Sequence, residues 1–149
     1  MRAITLDSPI GRITVYEEDE FISALVWGGK SIGLPSQLLV DAKRQIAAYF
    51  AGKRDRFDLP LRPNGSPVER EIWQAMADIP FGQTRTYGDI AKKLGVPARS
   101  VGQACGRNPI PILLPCHRVV SAQGLGGFSA PGGVEWKRKL LLHEGAILL

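Results

Sequence analysis

Between Asp58 and Gly65 the chain places Pro60, Pro63 and the dipeptide Asn64-Gly65 within eight residues. No helix and no central strand can run through such a stretch. Each proline lacks an N–H and fixes its own φ, and Asn-Gly is turn chemistry. A chain of 149 residues interrupted there is expected to fold as two lobes, 1–62 and 63–149. The hydrophobic period differs on the two sides of the break, so the lobes belong to different classes.

Upstream, Arg12 to Tyr16 and Phe21 to Trp27 flank the acidic turn Glu17 to Glu20 and predict a hairpin that Gly28-Gly29 ends. A helix is expected over 36–50, with Leu39, Ala42, Ile46, Tyr49 and Phe50 on one face and Gly52 as its stop. Downstream the pattern is helical. Ser66, Pro67 and Glu69 form an N-cap, a first-turn proline and a capping box ahead of Ile72, Trp73, Met76 and Ile79, and Pro80-Phe81-Gly82 follows. Tyr87, Ile90, Ala91 and Leu94 mark a second helix, Gly95-Val96-Pro97 a turn, and Ala98, Val101, Ala104 and Cys105 a third. Ala91, Gly95 and Val101 have helix-turn-helix spacing, and the outward face carries Arg99, Ser100, Gly102 and Gln103. An ordinary helical hairpin shares that spacing. A closing helix runs from Val134 to about Glu144, with Trp136, Leu140 and Leu141 inward and Gly145 at its end. The fold class is therefore α/β in two lobes, a sheet with a helix followed by a mostly α lobe.

Charge separates the halves as well. Residues 1–84 hold 10 basic and 11 acidic side chains, net −1, whereas residues 85–149 hold 9 basic and 3 acidic, net +6. Basic side chains displace counterions from phosphates, so the excess beside the helix-turn-helix suits DNA. No apolar run approaches the ~20 residues of a membrane helix, and Met1 to Thr5 has no signal-peptide architecture. A cytoplasmic, nucleoid-associated protein with no membrane partner is expected. Cys105, Cys116, His117 and His143 match no zinc spacing, so free thiols and no metal are expected.

Pro115-Cys116-His117-Arg118-Val119 follows the apolar run Ile110 to Leu114 and precedes a segment with five glycines, Gly124 to Gly133. That segment lacks Gly-Lys-Ser/Thr and is not a phosphate loop. A thiol attacks as thiolate and needs a base or a positive field. His117 is the candidate base. Neighbours in an extended segment face opposite ways, so direct pairing with Cys116 requires a turn, and a water relay serves otherwise. Glu144 ends its helix against the macrodipole and is the candidate acceptor that orients His117. A buried core cysteine is the competing reading of Cys116, and His143 reads as a solvated helix residue.

Further stretches join the Cys116 segment. They are Ile79-Pro80-Phe81-Gly82 leading to Thr86-Tyr87-Gly88, Ala98-Arg99-Ser100-Val101-Gly102, Arg107-Asn108-Pro109 ahead of Leu114-Pro115-Cys116-His117-Arg118-Val119, and Gly127-Phe128-Ser129 with Leu142-His143-Glu144-Gly145. Together they resemble the O6-alkylguanine-DNA alkyltransferases, the methylated-DNA–protein-cysteine methyltransferases. The resemblance covers nearly the whole chain and is strongest from Ser66 to Gly145. It implies a ribonuclease H-like N-terminal lobe, a winged helix-turn-helix in the C-terminal lobe, and direct reversal of O6-alkylguanine in double-stranded DNA, with O4-alkylthymine left open. The protein would work as a monomer in solution, with cooperative assembly on DNA also left open. Ala98, Ser100, Gly102 and Gly88 would permit close approach to the minor groove, and Arg99 would fill the gap left by the extruded base. Cys116, activated through water by His117 with Glu144 behind it, would take the alkyl group, and Tyr87 would donate to the departing guanine. The carbonyls of Cys116 and Val119 and the amide of Ser129 would hold the base. Phe128 and Pro111 would wall the pocket, and Asn108 would tie the helix-turn-helix to the active-site turn. No cofactor is implied. A thioether has no good leaving group, so each molecule would react once.

The chain departs from the family pattern at Phe128, where many relatives carry tyrosine. It lacks the N-terminal zinc ligands of some relatives and the second cysteine-nucleophile domain of others. A non-catalytic helix-turn-helix protein that binds the alkyl lesion is the alternative, and Cys116 argues against it. A cysteine hydrolase lacks an oxyanion-hole motif here.

Overall fold

The computed structural model describes residues 1–126 and 133–147. In Met1–Asn64, the first of two units into which the chain divides, strands β1 (Arg2–Ser8), β2 (Gly11–Glu18) and β3 (Phe21–Trp27) form an antiparallel sheet in chain order. Ile4 pairs with Val15, and Val15 with Leu25. The β2–β3 turn bends at Asp19 and Glu20, both at positive φ (50° and 68°), as a two-residue hairpin of the right twist requires. β1 has no clean alternation to read, because its buried residues, Ala3 and Leu6, lie three apart.

Helix α1 (Gln37–Phe50) starts at Ser36, whose hydroxyl accepts from the Leu39 N–H at 3.1 Å. It lays Leu39, Ala42, Ile46 and Tyr49 against β1 and β2. Each such large apolar side chain contributes roughly 1.5–3 kcal/mol on burial. Half of the proline segment is strapped down rather than free. Gln45 bonds Asp58 in both directions (3.0 and 2.8 Å), and the Pro60 carbonyl and the Arg62 N–H bond Ile22 at the edge of β3. Proline is tolerated there because an edge asks it for a carbonyl only.

In Gly65–Leu149, helix α2 (Pro67–Ala77) carries the expected capping box between Ser66 and Glu69. Its Trp73 is buried and donates to the Ala104 carbonyl at 2.8 Å. Strand β4 (Arg85–Thr86) leads directly into α3 (Tyr87–Leu94), which is capped by a second box, Thr86 with Asp89. Gly95 ends α3 in the left-handed region, and α4 (Ala98–Gly106) packs against it through Val101 and Ala104. A short 3₁₀ turn (Cys116–Arg118) runs into β5 (Val119–Val120), which pairs in parallel with β4. Helix α5 (Val134–His143) closes the unit on Leu140 and Leu141. Its inward stripe includes Lys137, fully buried, whereas Trp136 is only half-buried. His143 is also half-buried, edge-on to Phe81 at 6.4 Å between ring centroids, and is not the solvated residue expected. Among the described residues no helix is long and apolar enough to cross a membrane.

Candidate active site

The run before Cys116 is tightly folded. Ile110, Ile112 and Leu113 are buried, and the Leu114 N–H bonds the Ile110 carbonyl at 2.8 Å. Ile112 sits at φ +75°, a costly conformation for a β-branched residue that persists only where its surroundings over-determine it. Asn108, just beyond α4, supplies that determination. Its Oδ1 accepts from the Ile110 N–H at 2.9 Å and its Nδ2 donates to the Leu114 carbonyl at 2.8 Å. The same carbonyl accepts the Cys116 N–H at 2.8 Å. Asn108 therefore links the end of α4 to the residue two before the thiol.

Cys116, His117 and Arg118 form a turn, not an extended segment, so the opposite-face geometry of a strand does not apply to them. His117 is fully buried, and its Nε2 lies 2.7 Å from Glu144 Oε2. Burial pushes the imidazole below its ordinary 6.5. The Glu144 bond and charge oppose this, and the charges of Arg118 and Lys137 reinforce it. A neutral ring facing a carboxylate must present its N–H there, which leaves the lone pair on Nδ1. That buried Nδ1 has no hydrogen-bond partner among the described residues. It is a base with a free lone pair, next in chain to a thiol.

Glu144 caps the end of α5 and is buried. Its place against the macrodipole is offset by Arg118, whose Nε and Nη2 donate to its two oxygens at 2.8 and 3.0 Å. The remaining arm of Arg118 donates to the Ile79 carbonyl at 2.7 Å. Bidentate geometry of this kind fixes the carboxylate in orientation as well as in place.

Cys116 is 4% exposed. Burial pushes its thiol above the ordinary value, while the Asn108 amide and the Lys137 charge pull the other way. At rest it is a thiol. Cys105 is also free, and burial raises it to about 12. Tyr87 opens α3, and its hydroxyl accepts from Lys137 Nζ at 3.4 Å. Gly126, at φ +77°, lies close to the hydroxyl end of that ring: a Cβ there would fall 2.8 Å from the hydroxyl.

Of the remaining candidates, Ala98, Arg99 and Gly102 are exposed on α4, Gly88 is exposed on α3, and Ser100 is half-buried. Val119 is buried in β5, and its N–H already bonds the Cys116 carbonyl, which keeps one lone pair for another donor. Pro111 is half-buried beside Leu114. Phe128 and Ser129 lie outside the described residues.

The profile of the 6-O-methylguanine DNA methyltransferase DNA-binding domain matches residues 67–146, and that of the same family's ribonuclease-like domain matches residues 1–63. This chain belongs to the 6-O-methylguanine DNA methyltransferase family. The methylated-DNA–protein-cysteine methyltransferase of Methanosarcina acetivorans is 41% identical over 151 residues, spanning 94% of this chain and 96% of that protein. The protein of the same name from Mycolicibacterium paratuberculosis is 41% identical, spanning 94% and 90%. The crystal structure of Mycobacterium tuberculosis OGT in complex with DNA is similar with a TM-score of 0.84 at 38% identity, covering 95% of this chain and 92% of that one. The two-lobed α/β architecture expected from the sequence agrees with these likenesses.

Within this family fold, two residues at the site, Arg118 and Lys137, receive no role from sequence reasoning. Arg118 was hidden by its own motif, where a cation beside His117 reads as ordinary surface charge. Lys137 falls at the helical spacing of Leu140 and Leu141, and a lysine on an inward stripe was the signal to follow.

Proposed function

We propose that this chain repairs DNA by direct reversal, moving an alkyl group from O6-alkylguanine in double-stranded DNA to Cys116. The observation that carries the reading is the neutral, buried His117. Its Nε2 is committed to Glu144, and its Nδ1 holds an unused lone pair one residue from the thiol.

Despite the turn no thiol hydrogen bond reaches Nδ1, so it takes the thiol proton through a bridging water, and Glu144 stabilises the imidazolium. The sulfur then displaces the alkyl carbon: the S–C bond forms, the C–O6 bond breaks, and the electron pair returns to the purine. Tyr87 supplies a proton to the departing base, since expelling a bare guanine anion is costly. The alkylated oxygen is inaccessible within the duplex stack, so the base must be extruded. Exposed Arg99 fills the gap, and the small residues Ala98, Ser100, Gly102 and Gly88 let the backbone approach the groove. Asn108 couples α4 to the thiol turn, and Pro111 and Val119 border the base. A monomer carries every group named.

The test is incubation with duplex DNA containing O6-methylguanine, followed by mass spectrometry of the Cys116 peptide. One methyl group per molecule is expected, with no second turnover. Cys116→Ala is expected to abolish transfer and keep DNA affinity. DNA binding without any mass gain would identify a lesion-binding protein instead, and repeated turnover would exclude the single-use mechanism.

A further inference from the structure

Helix α4 contains two glycines, Gly102 and Gly106, although glycine weakens a helix relative to alanine. With Ala98 they follow one another at four-residue spacing and form a single exposed row. Neither glycine has a positive φ, and a Cβ added to either would meet nothing within 4 Å among the described residues. The backbone and the packing of the unit therefore ask for no glycine there. The row suits close approach from outside instead. A helix with its side chains is about 10–12 Å across, which the ~12 Å major groove of DNA admits as it is. The ~6 Å minor groove requires a face stripped of side chains. Beside the small row stand Arg99 and Gln103, also exposed. They are one turn apart, about 6 Å along the axis, or roughly two base-pair steps of ~3.4 Å. The main-chain carbonyl of Gln103 accepts the Arg107 N–H at 3.1 Å, and its side-chain amide has no partner among the described residues. Arg99 can only donate, whereas that amide both donates and accepts.

We propose that Gln103 is a specificity-determining residue that reads, through the minor groove, the base pair about two steps from the lesion and favours G·C there. The inference rests on the reading of α4 as the helix that docks on DNA and of Arg99 as the side chain that fills the gap left by the extruded base. In the minor groove A·T and T·A present acceptors alone, and G·C adds the guanine 2-amino donor. On G·C the amide is satisfied at both ends: Nε2 donates to guanine N3, and Oε1 accepts from the 2-amino group. On A·T the Nε2 still finds an acceptor, but Oε1 faces acceptors only. Gln103 takes no part in the transfer step. The preference therefore acts on docking, and it is read in lesion affinity rather than in the rate at saturating protein.

The test uses wild type and Gln103→Leu on duplexes with one O6-methylguanine, placing G·C, inosine·C or A·T in turn at each of the three pairs on either side of it. Inosine lacks only the 2-amino group, so it changes the minor groove and leaves the major groove as guanine has it. Lesion affinity and single-turnover methylation of Cys116 at saturating protein are measured, with melting temperature alongside. Wild type is expected to bind the G·C duplex at least roughly fivefold tighter than the other two at a position on one side of the lesion, with equal saturated rates. Gln103→Leu is expected to bind all three within roughly twofold of one another. Wild type that ignores the 2-amino group at every position overturns the inference. So does a preference that survives inosine, which places the readout in the major groove, and so does a folded leucine variant that keeps the wild-type preference. Wild type that binds the lesion and leaves Cys116 unmethylated defeats the proposed transfer, while the affinity series still decides the role of Gln103. Normal methylation with no effect of inosine defeats only Gln103.

Discussion

Arg118→Met removes the guanidinium that holds both oxygens of Glu144, at 2.8 and 3.0 Å, and the Ile79 carbonyl at 2.7 Å. Methionine fills much of the same volume and adapts to irregular space, so the loss is electrostatic rather than one of packing. Breaking a buried pair from one side strands the carboxylate and costs about 3–5 kcal/mol. The pH dependence separates this cause from simple damage. In wild type, burial together with the Arg118 and Lys137 charges holds folded His117 below 6.5, so the unfolded chain takes that proton first. The contribution is fully present above pH 6.5 and is lost as the pH falls below it, with a slope of up to about 1.4 kcal/mol per pH unit. In the variant one opposing charge is gone, and a Glu144 carboxylate without its guanidinium attracts the proton more strongly. Folded His117 then ionises more readily than in wild type, although burial still opposes it, and the acid-side loss shrinks. The deficit is therefore largest at pH 8 and narrows at pH 5.5. Urea unfolding followed by circular dichroism and tryptophan fluorescence at both pH values measures it. A loss below about 1 kcal/mol at pH 8 refutes the stranded-charge argument, as does a deficit that fails to narrow. Glu144→Gln on the same background should recover part of the loss, since it removes the stranded charge.

Asn108→Ala leaves the Leu114 carbonyl and the Ile110 N–H short of a partner and frees Ile112 from the bonds that hold it left-handed. We expect about 2–3 kcal/mol of destabilisation in urea and slower single-turnover transfer, with lesion binding retained. Wild-type stability would mean that the turn holds its shape without Asn108. Gly126→Ala places a Cβ 2.8 Å from the Tyr87 hydroxyl at a φ of +77°. A cost of about 1–2 kcal/mol and a reduced transfer rate are expected. An unchanged melting temperature and rate would show that Tyr87 is not confined there.

Local features could be read from the chain because local features need few residues. The Ser66–Glu69 capping box, the Gly95 turn and the apolar stripes of α2 to α4 are each specified within a few positions, and the structure reproduces them. Strand β1 is not legible in the sequence because its inward residues do not alternate, nor is the Thr86–Asp89 box, where an aspartate stands in for the usual glutamate. The partners of Glu144 lie 26 and 27 residues away in sequence, so the chain shows only an acidic residue at the wrong end of a helix. Ile112 shows nothing at all in sequence. A left-handed isoleucine is a consequence of how Asn108 closes the turn, and no propensity announces it. Burial of Lys137 is of the same kind: spacing marks the position as inward, but only the packed neighbours explain why a cation is there.

The two-residue ladder between β4 and β5 is small, yet it sets the alignment of the unit. Arg85 pairs with Val119 and Thr86 with Val120. Thr86 is also the cap from which Tyr87 and α3 begin, and Val119 is three residues past Cys116. The phenol and the thiol are thus gauged from one shared reference, not from the lengths of the segments that connect them. Lengthening the chain after Val120 leaves that gauge untouched. A slip of one rung shifts the phenol by about 3.3 Å relative to the thiol. That is more than a hydrogen bond tolerates, so tolerance to insertion in this fold should stop abruptly at Arg85–Thr86 and Val119–Val120.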